Sequence, residues 1–83
     1  MIENINQPIK VIAFFEKGRI KPLKFYWQSS FFEIQKINLI HQNRLGRSIL
    51  YHFSVTSGQT LYELQFNHQT LNWKLIKISD GTA

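Results

Sequence analysis

His52 and Ser54 stand two residues apart. Alternate residues of a strand share a face, so a strand here sets the two side chains next to each other. That is the start of a nucleophile and its general base, but such a pair needs a third group to orient the imidazole. The five Asp and Glu are scattered as Glu3, Glu16, Glu33, Glu63 and Asp80. Glu63 sits between Tyr62 and Leu64, on the opposite face of any strand that buries them, and reads as a solvent-facing residue rather than a base. The chain carries no glycine-rich phosphate loop, nucleophile elbow or paired carboxylates. With no cysteine there is no thiol nucleophile, zinc-thiolate site or disulfide framework. His41, His52 and His68 lack the H-x-x-x-H spacing of a metal pair. No catalytic, cofactor-binding or metal-ligating residue is therefore assigned, and the chain is expected not to be an enzyme.

Binding chemistry has more support. Ten Lys and Arg against five Asp and Glu give a net charge of +5. A basic surface attracts nucleic acid or acidic proteins. Lys10, Lys24, Lys36, Lys74 and Lys77 recur in apolar stretches, with Arg44 and Arg47 in a polar connection. Tyr26 shares strand parity with Lys24. Small β-barrels hold single strands by combining a basic groove with stacking aromatics. These seven cations are the candidate anion or nucleic-acid contacts. The competing view is that the aromatics are core and the lysines guard sheet edges.

The elements that would position these groups are strands. Phe25–Ile34 reads as a hairpin turning at Ser29-Ser30, with Trp27 opposite Phe32, Phe25 opposite Ile34 and all four on one face. Pro8–Phe15 alternates upstream of it. Glu16-Lys17-Gly18 fits a three-residue loop that pairs Phe15 with Arg19 and Ile9 with Phe25. Pro22, which cannot donate to a ladder, is expected at a bulge or an unpaired edge. Phe32–Ile40 reads two ways. A strand needs a bulge near Gln35-Lys36 to re-phase Ile37 and Leu39, whereas a helix would use the near-helical spacing of Phe31, Ile34 and Ile37. Isoleucine content and the lack of a cap favour the strand. Ser48–Thr56 places Ile49, Tyr51, Phe53 and Val55 inward. A turn at Ser57-Gly58 sets Phe53 opposite Tyr62, and an even-length turn between Asn67 and Asn72 brings Trp73 beside Phe66.

Six strands in sequential hairpins predict a single all-β domain over residues 1–83, an antiparallel meander curled into a strongly twisted sheet or small barrel. Residues 1–7 and 80–83 read as flexible termini. The expected core is Val11, Phe25, Trp27, Phe32, Ile34, Tyr51, Phe53, Tyr62, Leu64, Phe66, Trp73 and Leu75. The N-terminus lacks a signal-peptide pattern and no apolar run approaches the ~20 residues of a membrane span, so no membrane is expected and a cytoplasmic setting is.

The motifs Pro8-Ile9-x-Val11, Gly18-Arg19-x-x-Pro22-x-x-Phe25-x-Trp27, Phe32-x-Ile34, His52-Phe53-Ser54-Val55, Tyr62-Glu63-Leu64-x-Phe66 and Leu71-x-Trp73-x-Leu75 extend over nearly the whole chain. This set resembles a family of small bacterial proteins of unknown function, stand-alone in Gram-positive bacteria. It is also similar to a domain found with proteins of the translesion-polymerase type. Members of that family often carry glycine in the turn after the tryptophan, where Ser29-Ser30 stands here. The resemblance implies a fold and a bacterial, intracellular setting, and no reaction or ligand.

The first hairpin is apolar on both faces, whereas a half-exposed antiparallel sheet shows water a polar one. Under the three-residue loop Ile12, Phe14, Ile20, Pro22 and Tyr26 form the outer strip. That strip is the candidate association surface, for a second copy of the chain or another protein.

Overall fold

A computed structural model of the chain describes residues 2–80. It is all-β, a single antiparallel sheet of seven strands curled into a half-barrel. The strands are β1 (Ile2–Glu16), β2 (Arg19–Trp27), β3 (Ser30–Glu33), β4 (Lys36–Leu45), β5 (Ser48–Ser57), β6 (Thr60–Asn67) and β7 (Asn72–Ser79). Their order across the sheet is β3-β2-β1-β7-β6-β5-β4. Two meanders, β1–β3 and β4–β7, are thus joined side by side through the first and last strands.

The join depends on the length of β1. Its first part pairs with β7, from Ile2↔Ser79 to Ile9↔Trp73, and its second part pairs with β2. Residues 2–7, expected as a loose terminus, lie in this ladder, and Ile5 packs against the core. Met1 and residues 81–83 of the expected flexible termini lie outside the described residues.

The seventh strand comes from Phe32–Ile40, which is two strands rather than one. The chain leaves the sheet at Ile34-Gln35, so β3 and β4 stand at opposite edges. Ile34 N donates to Leu23 O at 2.9 Å and Gln35 N to Thr56 O at 2.9 Å, tying this step to both sides. The re-phasing expected at Gln35-Lys36 is done by this step and by a bulge at Asn38. Past that bulge Ile40 faces inward, opposite Phe53, and Leu39 faces out.

Three turns sit differently from expectation, for one reason. The chain uses two-residue loops with positive φ at the first residue, the geometry that matches strand twist. Lys17-Gly18 (φ 50 and 77) replaces the three-residue loop, giving Phe15↔Ile20 and Phe14↔Lys21. Gln28-Ser29 (φ 52 and 63) replaces Ser29-Ser30, giving Phe25↔Phe32. Gly58 (φ 63) with Gln59 replaces Ser57-Gly58, giving Phe53↔Leu64. The last two shifts are by two positions, so the inward set is unchanged. Trp73 does lie opposite Phe66, as expected.

The concave side holds the core: Phe25, Phe53, Val55, Tyr62, Leu64, Phe66, Trp73 and Leu75 are buried. Phe25 is its hinge point, stacked on Phe32 at 5.1 Å and edge-on to Tyr62 at 5.1 Å. All twelve expected core residues are either buried or packed against this cluster.

Candidate association surface

The bulge that accommodates Pro22 decides which side chains reach the outer face of the first sheet half. Ile12 pairs with Lys24 and Ala13 with Pro22, leaving Leu23 as the extra residue of β2. An extra residue inverts the parity of everything beyond it. Ile20 and Pro22, expected on the outer strip, therefore turn inward. Pro22 is fully buried and Ile20 packs against the core. Ile12, Phe14 and Tyr26 stay outside and gain Leu23 and Phe31 as neighbours on that face.

The outer face of β1–β3 is consequently open, with exposed apolar side chains set among charged ones. Ile12, Phe14, Leu23 and Phe31 are 47%, 54%, 42% and 59% exposed. Tyr26 stands directly opposite Phe31 and between it and Lys10 in the ladder. The two rings meet edge-on at 4.9 Å. Lys24 Nζ lies 5.0 Å above the Phe31 ring and Lys10 Nζ 6.0 Å from that of Tyr26. Glu33, opposite Lys24, and Glu16, at the hairpin tip, give the face both signs of charge.

The seven candidate anion contacts divide into two groups. Lys10, Lys24, Lys74 and Lys77 sit on the adjacent strands β1, β2 and β7. Lys77 is already engaged, its Nζ 3.6 Å from Glu63 Oε1. Lys36, Arg44 and Arg47 lie on β4 and its turn, at the other edge of the sheet.

His52 and Ser54 do share the outer face of β5, and the ladder supplies a carboxylate that spacing in the sequence concealed. Ser54 stands opposite Glu63, and His52 Nδ1 is 3.2 Å from Glu63 Oε2. Asn43 Nδ2 approaches His52 Nε2 at 3.4 Å, so with Asn43 donating the imidazole gives its Nδ1 proton to Glu63. Both ring nitrogens thus have partners other than Ser54. His41 stacks flat on His52, with centroids 4.8 Å apart and planes 1° from parallel. The row His41–His52–Glu63–Lys77 crosses four strands as a surface ladder. Among the described residues no three His, Asp or Glu side chains are grouped so as to hold a metal ion.

No helix in the described residues is long and apolar enough to cross a membrane. Comparison with known protein families, curated proteins and solved structures finds no match.

Proposed function

We propose that this chain is a non-enzymatic accessory module of the bacterial cytoplasm that works by protein–protein association, and that the outer face of β1–β3 is its docking surface. The carrying observation is the row of exposed Ile12, Phe14, Leu23 and Phe31 on one sheet face. Singly exposed apolar residues are ordinary, but a contiguous group on a sheet marks an interaction site. A second copy fits it. The face is self-complementary in charge, with Lys21 and Lys24 able to meet Glu33 and Glu16 across a two-fold axis. Phe14→Lys tests this. The expected result is a dimer of the unmutated protein that dissociates on dilution and a folded monomer for the variant, read by light scattering. A chain that is monomeric at every concentration contradicts the homodimer.

A second reading has its own observation. Tyr26 and Phe31 lie outside the core, between Lys10 and Lys24. Lysines beside exposed rings on an open sheet are the means by which small β domains stack and neutralise a single strand. This reading predicts binding to single-stranded DNA or RNA that weakens steeply with added salt, through counterion release. Phe31→Ala together with Lys24→Ala is expected to abolish it in a salt titration. Absence of binding to any single strand at low salt removes it.

A further inference from the structure

The half-barrel has an unfilled seat in its wall. β3 pairs with β2 only from Trp27 to Lys24, whereas β2 continues to Arg19. Among the described residues, Arg19–Pro22 therefore has a ladder with β1 on one side and no strand on the other, and the facing wall, β4, forms a ladder only with β5. Between these two free edges runs a groove lined by Gly18–Lys21 on one side and by Ile37 and Ile40 on the other, with Tyr51 and Phe53 as its floor.

The width of the groove at its closed end follows from chain geometry. Ile34 is still bonded to Leu23 of β2 and the next residue, Gln35, already to Thr56 of β5, so one Cα step of about 3.8 Å carries the chain from the seat beside β2 to that of β4. Two strands flanking an absent one are about 9.6 Å apart, twice the inter-strand spacing. The seat is the one β3 would take had it continued past Glu33. Instead the chain steps across to β4, pinned by the Ile34–Leu23 and Gln35–Thr56 hydrogen bonds.

Charge selects what can fill it. From Lys17 to Phe32, and again from Gln35 to Tyr62, there is no Asp or Glu. Arg19 and Lys21 are exposed on the outer side of one wall and Lys36 on that of the other, while Arg44 shares the inward parity of Ile40. A β4 strand from a second copy would bring Lys36 against Arg19 and Lys21, with no carboxylate to offset them. We propose that the groove accepts an extended acidic–apolar segment of another protein as an additional strand. Backbone pairing to the free edges would hold it, as in other strand additions. Its apolar side chains would cover Ile20, Ile37, Ile40 and Tyr51, and its acidic side chains would meet Arg19, Lys21 and Lys36 on the outer side. This site borders the outer face of β1–β3 and shares Lys21 with it, but its free backbone edges and its apolar floor belong to the groove alone.

The test uses the full chain and a short synthetic peptide alternating valine and glutamate. Controls are a valine–lysine peptide and a valine–glutamate peptide interrupted by proline. Affinity is read by fluorescence anisotropy, and location by residue-resolved amide exchange. The acidic peptide is expected to bind and to protect amides in Arg19–Leu23 and Lys36–Leu45, with both controls at least about tenfold weaker. Ile40→Asp, at a half-exposed position, should weaken binding by a similar factor, and Phe31→Ala, on the outer face away from the groove, should leave it unchanged. The double reversal Arg19→Glu and Lys21→Glu should shift preference toward the lysine peptide, a readout that loss of folding cannot imitate. Equal binding of the two charged peptides, protection confined to the outer face of β1–β3, or no binding each overturns the proposal. So does a dimer whose β4 edge is already protected, which would make the second copy the occupant.

Discussion

Phe25 and Trp27 show how burial separates two aromatics that look equivalent in the sequence. Both face the concave side of β2, but Phe25 is wholly buried and touches Phe32 and Tyr62, whereas Trp27 is half-buried. Trp27 extends its Nε1 to Gln7 Oε1 at 2.9 Å, tying β2 to β1 at the sheet surface. Phe25→Ala is expected to cost about 3–5 kcal/mol, as aromatic truncations in packed cores do. Trp27→Ala should cost about 1–3 kcal/mol, since much of its area is already in water. Urea unfolding of the two variants checks the order. The inward residues were readable from strand alternation, which survives any shift of register by two. Ile20 and Pro22 were not: proline marked the bulge that the structure shows beside it, but nothing in the hydrophobic pattern said that Leu23 is the extra residue and that parity reverses beyond it. The carboxylate beside His52 was hidden for a related reason: Glu63 is eleven positions away in the chain and becomes a neighbour only through the β5–β6 register.

At the scale of elements, the central strands were legible, but residues 2–7 read as a loose end and the polar stretch to Leu45 as a connection, although both are strand, and the turns were less legible still. Gln28-Ser29 carries positive φ at two residues that both bear a Cβ, a conformation glycine adopts at about 1–2 kcal/mol less cost. The sequence favoured Ser29-Ser30 because serine is a common turn residue, and nothing local marked glutamine as a loop position. Ser29→Gly should relieve part of this strain and stabilise the protein by roughly 0.5–1 kcal/mol after the added unfolded-state entropy is counted. Differential scanning calorimetry would show it as a rise in Tm of a few degrees. A fall in Tm would mean that the Ser29 side chain contributes more than its backbone costs. The split of Phe32–Ile40 into two strands was equally unmarked, since a corner that changes sheet edges and a bulge within one strand produce the same break in alternation.

Across the whole molecule, the sequence predicted a curled antiparallel sheet but not the pairing that closes it. Sequential hairpins are local and visible in turn residues. The ladder between β1 and β7 joins residues more than sixty positions apart, from Ile2↔Ser79 to Ile9↔Trp73, and has no local signature. That ladder also places the two ends of the described chain side by side. Read around the sheet from the other edge, the strands run β4-β5-β6-β7-β1-β2-β3, which is the chain order itself if it began at Lys36. The sheet thus has the topology of an up-and-down meander whose chain ends fall between its fourth and fifth strands and whose first and last strands are linked at Ile34-Gln35. A permutant that starts at Gln35, ends at Ile34 and links the original ends by a short glycine–serine segment should fold to the same sheet. Its amide-exchange protection pattern should superimpose on that of the parent in every strand, with its only new freedom at the former Ile34-Gln35 link, where β3 and β4 would no longer be held together by the chain.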